Sequence, residues 1–135
     1  MKNNITIWQK IYKNILFLLA FYFFIMGAFL ALFPNLLLTG LNQNANSAIL
    51  GIIRGAGGAT IPYALLYIFL AIKPEESKGV KYSILLANVL AIILDLSSIF
   101  FSEFTPMQAM IDLPVEVISL TIIIVFHNKL NINVK

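Results

Sequence analysis

Four stretches of the chain are almost wholly apolar, and short polar segments separate them. Ile15–Phe33 carries no charge and stops at Pro34. Ala48–Ile72 is charged only at Arg54, Tyr82–Ser102 only at Asp95, and Pro106–Phe126 only at Asp112 and Glu116. A helix needs roughly 20 apolar residues to cross the hydrocarbon core of a bilayer. Each run therefore predicts one membrane-spanning helix, at 15–33, 48–72, 82–102 and 106–126. The connections are short, which makes neighbouring helices antiparallel. The predicted fold is all-α: one transmembrane domain over residues 1–135, an up-down four-helix bundle integral to the membrane.

Punctuation along the chain agrees with these boundaries. Ser47 is placed to cap the second span. Lys73-Pro74-Glu75-Glu76 ends it at a proline. Thr105-Pro106-Met107-Gln108 has the form of a capping box with proline at the first helical position. Pro62 and Pro114 fall inside spans, where each deletes a backbone donor and frees the carbonyl four residues earlier. The first run is longer than the apolar core of a signal peptide and has no small-residue cleavage site after it, so it is expected to be a retained helix. Trp8 and Tyr12, one turn apart before it, suit an interfacial anchor.

Composition reinforces the membrane reading. The chain is 60% hydrophobic and 11% charged, with a mean hydropathy of +0.91, whereas soluble domains carry about 25% charged residues. The net charge of +3 does not mark a nucleic-acid binder, because every lysine lies outside the apolar runs in three short groups. Lys2, Lys10 and Lys13 precede the first span. Lys73, Lys78 and Lys81 lie between the second and third, and Lys129 and Lys135 follow the fourth. The segments 34–47 and 103–105 have none. By the positive-inside rule, both termini and the middle connection are cytoplasmic.

The four charges inside the spans are the candidate chemistry. At about 1.5 Å of rise per residue, Arg54 and Asp95 both lie roughly 10 Å in from the outer surface, with Asp112 about 9 Å and Glu116 about 15 Å deep. Asp112 and Glu116, four residues apart, share a helix face. A charge near the bilayer centre costs about 2.5–3.5 kcal/mol on insertion scales. Arg54 is therefore expected to meet Asp95, Asp112 and Glu116 inside the bundle. One arginine against three carboxylates leaves an excess of two negative charges if all are ionised. Such an excess requires a proton, a bound cation or water from outside. Glu116, the deepest, is the candidate proton carrier.

Other residues narrow the choice. The absence of cysteine excludes disulfides and thiol metal sites, and no metal or other cofactor is indicated. Ser97, Ser98, Ser119 and Thr121 have no histidine near them, against a serine-type triad, so no catalytic residue is assigned. Hydroxyls in spans ordinarily bond back to their own helix. The lone histidine, His127, lies at the cytoplasmic end of the fourth span, where it suits a capping role. Gly51, Gly55 and Ala59, at four-residue spacing, suit close helix packing within the chain or a homodimer face, and Gly27 and Ala31 repeat the spacing in the first span. "GIIRGAGG" lacks the ending and the strand context of a phosphate-binding loop.

Arg54 followed by "GAGGA", with an acidic residue in the fourth span (Glu116 after "DLPV"), resembles the small bacterial BphX-like and DoxX-like four-helix membrane proteins. Asp95 departs from that pattern. The resemblance implies a membrane bundle and supplies no activity. Three functions are carried forward. The first is binding of a cationic or amphipathic small molecule, or proton exchange, at Arg54, Asp95, Asp112 and Glu116. The second is an accessory protein whose charges only hold the helices together. The third, ranked lower for want of a nucleophile, is an enzyme acting on lipid with Glu116 or Asp112 as acid/base.

Overall fold

The apolar runs fold as helices, the element in which the backbone satisfies its own hydrogen bonds within one segment. The structure is a computed structural model. It describes residues 2–41, 44, 46–74, 78–102 and 105–131, with side chains for all of these but 2–6, 108 and 127–131. The segments are α1 (Lys2–Leu32), α2 (Pro34–Gly40), α3 (Ser47–Ile72), α4 (Lys78–Phe100), α5 (Pro106–Ala109) and α6 (Leu113–Asn131). Among the described residues there is no strand. Among the described residues three helices are long and apolar enough to cross a membrane: Ile7–Leu32 of α1, α3 and α4.

Several boundaries differ from the sequence expectation. α1 begins far ahead of Ile15, since nothing in the leader breaks a helix. The connection after Pro34 is partly helical: α2 starts on that proline and buries Pro34 and Leu38. Asn46, not Ser47, caps α3, its side chain accepting from the Ile49 amide at 2.8 Å. Lys78 and Lys81 belong to the first turn of α4.

The largest departure is in the fourth run. It is broken into α5 and α6 by a turn at Met110–Asp112. The apolar part of α6, Leu113–Phe126, is about 21 Å long, against about 30 Å of hydrocarbon. Pro114 consequently does not kink a continuous helix. It is the second residue of α6, where backbone amides have no intrahelical partner and its missing N–H costs nothing. Pro62 does lie inside α3, which continues through it. The expected capping box ends at Gln108, whose side chain, like that of His127, lies outside the described residues, as does Lys135.

Packing is uneven. α1 lies along α3 more extensively than any other pair; α6 lies against α4, and α1 with α6 and α3 with α4 touch lightly and to the same extent. The α1–α3 approach depends on Gly27 and Gly57. A Cβ on Gly57 would stand 2.5 Å from the Ala31 amide nitrogen and 2.6 Å from the Gly27 carbonyl. Gly51 and Gly55 do not make this contact, because a Cβ on either would meet nothing within 4 Å. At one end of the molecule, Tyr12 stacks on Phe126 with ring centroids 5.9 Å apart. Further along α1, the Tyr22 hydroxyl donates to the Ile111 carbonyl at 3.0 Å. α1 and α6 therefore run antiparallel. The core between them holds Leu16, Tyr67, Leu70, Ile84 and Ile123, while Leu18, Phe21, Leu65, Leu86 and Leu94 face outward.

Candidate functional site

The break between α5 and α6 builds one side of the site. Asp112 stands just before α6, and its carbonyl accepts from the amides of Val115 and Glu116 at 2.9 and 3.1 Å. Its side chain turns back to accept from the Leu113 amide at 3.1 Å. One turn later Glu116 projects from α6 toward α4, where Asp95 waits near the end of its helix. One carboxylate oxygen from each of Asp95, Asp112 and Glu116 lies within 4.8 Å of the others. Glu116 is only 8% exposed. Its Oε2 atom and Asp95 Oδ2 are buried without a hydrogen-bond partner. Buried polar atoms in native proteins are nearly always satisfied, so two orphaned oxygens in one cluster point to something that binds there.

Arg54 is not part of this group. It is exposed, and among the described residues it pairs with none of the three carboxylates. The cause is the packing of α3. That helix presses its Gly57 face onto α1 and meets α4 only lightly, which leaves the turn holding Arg54 on the open side. A long guanidinium side chain there can extend toward the interface. Of the four expected residues, three converge and the cation stands apart.

Beside the cluster is a pocket of about 280 Å³. Glu116 and Asn88 are its polar walls, with Thr60; Phe23 and Tyr63 supply rings, and Ala59, Ala87 and Ala91 keep it open between α3 and α4. Phe23 and Tyr63 meet edge to face, their centroids 5.1 Å apart.

Behind the pocket is a buried polar network that sequence reasoning missed. The Tyr67 and Ser119 hydroxyls are 2.5 Å apart. The Asn88 side-chain amide donates toward both, at 3.1 and 3.0 Å, and to the Ile84 carbonyl at 3.0 Å. Tyr67 reaches Tyr63 at 3.4 Å, and Tyr63 donates to the Ile84 carbonyl at 3.3 Å. Ser119 thus ties α6 to α3 and α4, whereas Ser97 and Thr121 bond back to their own helices as expected. The available signal was Asn88, a side-chain amide two turns before Asp95, since such amides join helices across membranes.

Compared with known proteins, the chain matches no family model, no curated protein and no solved structure.

Proposed function

We propose that the chain is a multi-pass membrane protein that binds a cationic small molecule at Asp95, Asp112 and Glu116, in exchange for protons. In this reading α1, α3 and α4 are three crossings and α5 with α6 forms the fourth, completing an up-down bundle. The lysine groups set its termini and the α3–α4 connection on the cytoplasmic side. The cluster then opens toward the outside.

The observation that carries the reading is the buried Glu116, whose Oε2 has no hydrogen-bond partner and whose carboxylate is grouped with two others. Three ionised carboxylates this close repel one another strongly in a low dielectric. With Arg54 elsewhere, the balancing charge comes from protons or from a ligand. An interrupted helix beside an ion site is also a recurrent arrangement in membrane transporters. A purely assembling role has less support, because the Arg–carboxylate pairing it required is absent among these residues and Asn88 with Ser119 already joins α4 to α6. Kinship with the BphX-like or DoxX-like proteins is a proposal resting only on Arg54-GAGGA and Glu116.

The test is proton release. Purified protein in weakly buffered detergent is titrated with methylammonium, phenethylammonium and Mg²⁺ while a pH indicator is followed. Wild type is expected to release protons on addition of at least one of these cations. Glu116→Gln is expected to remain folded and to lose the release. Silence of wild type toward all three, or an unchanged response in Glu116→Gln, would overturn the reading.

A further inference from the structure

Resting on that cation-binding reading, we infer that the ligand is a primary ammonium ion carrying one compact apolar group, with its head among Asp95, Asp112 and Glu116 and its tail in the pocket between α3 and α4. Glu116 is the residue common to the two features: its carboxylate belongs to the cluster and its side chain also lines the pocket. A single molecule can therefore occupy both.

The head group follows from geometry. A primary ammonium has three N–H donors in a tetrahedral fan, like the lysine head group. Charge-assisted bonds of about 2.8 Å to three acceptors place those acceptors roughly 4.6 Å apart. The cluster's three oxygens all lie within 4.8 Å of one another, so one such head can reach all three. A quaternary ammonium has no N–H to give the orphaned oxygens of Glu116 and Asp95. A bare divalent metal would use the oxygens and leave the adjoining pocket unexplained.

The tail follows from the walls. Three alanines, Ala59, Ala87 and Ala91, make a slot closed by the Phe23 and Tyr63 rings. At about 280 Å³ the space is at the lower limit of small-molecule sites, roughly 300–1,000 Å³, so it takes one ring or a short chain. The aromatic faces also favour a neighbouring cation. Because α3 and α4 meet lightly and Ala59 is exposed, the slot is open to an amphipathic molecule arriving between those two helices.

Isothermal titration of the full chain in detergent separates the possibilities. Phenethylammonium is expected to bind about tenfold or more tightly than methylammonium, because its ring is removed from water. Ala87→Phe, which fills the slot, is expected to erase that advantage while methylammonium binding stays within about twofold. Ala91→Leu is the second variant should Ala87→Phe fail to fold, with monodisperse gel filtration as the criterion. Two outcomes overturn the inference while leaving the cation-binding reading intact: equal binding of the two amines by wild type, or an advantage that survives both variants. Mg²⁺ displacing both amines at equal concentration does the same and marks a metal site. If no cation binds wild type, both readings fall together.

Discussion

At the scale of single residues, the interior is held by a few polar atoms whose partners are fixed by geometry. Tyr67 is the clearest case. Its ring stacks on Phe23 with centroids 5.2 Å apart, and its hydroxyl receives Asn88 and meets Ser119. Tyr67→Phe keeps the stack and removes only the hydroxyl. The variant is expected to lose about 1 kcal/mol of stability, typical of one interhelical hydrogen bond. Thermal unfolding in detergent reads this as a lower midpoint. Ser119→Ala should cost a similar amount, and the double variant less than the sum, because both substitutions break the same bond. Strict additivity would mean the two hydroxyls do not interact. Glu116 is different in kind. Its buried carboxylate lacks a partner for one oxygen, so Glu116→Gln removes a charge that nothing in the described structure balances and is expected to leave stability unchanged or improved.

At the scale of helices, small residues decide which faces touch, and their spacing alone does not say which of them do so. Gly51, Gly55 and Ala59 have the regular four-residue period, yet the close approach is made by Gly57 against Gly27 and Ala31. Gly57→Ala would push a methyl group into the Ala31 amide and the Gly27 carbonyl, and neither backbone atom can step aside without separating α1 from α3. A marked loss of stability is expected, on the order of 1–3 kcal/mol as for other overpacked sites. Gly55→Ala, with open space around it, is expected to be neutral or to stabilise the helix by up to about 1 kcal/mol. Comparing the two in one unfolding assay checks the assignment, and the reverse order would refute it. The same limit explains the fourth run. Its composition reads as one helix, yet the chain turns at 110–112, just before Pro114, which cannot donate to the Met110 carbonyl, and the Ile111 carbonyl is taken by Tyr22, 89 positions away in sequence.

At the scale of the whole molecule, much was legible because the bilayer imposes simple rules. Run length gave α3 to within one residue and the C-terminal ends of α1 and α4 to within two, but not their starts. Counting depth along the runs brought Asp95, Asp112 and Glu116 to one level, as found. What the sequence did not contain was rotation. Depth is set by position along a helix, but the direction a side chain faces depends on which neighbour the helix packs against, and α3 chose α1. Arg54 was therefore given the wrong company. Orientation across the membrane rests on a different signal, the lysine groups, and can be tested independently. The natural chain has no cysteine, so single cysteines report without background. Lys10→Cys, in the N-terminal part of α1, and Lys78→Cys, at the start of α4, should be protected from a membrane-impermeant maleimide in intact cells and label after lysis. Asn44→Cys, in the lysine-free connection before α3, should label in intact cells. Labelling of Lys10→Cys from outside with protection of Asn44→Cys would invert the arrangement and put the carboxylate cluster on the cytoplasmic face, where its protons and its ligand would come from the cell interior instead.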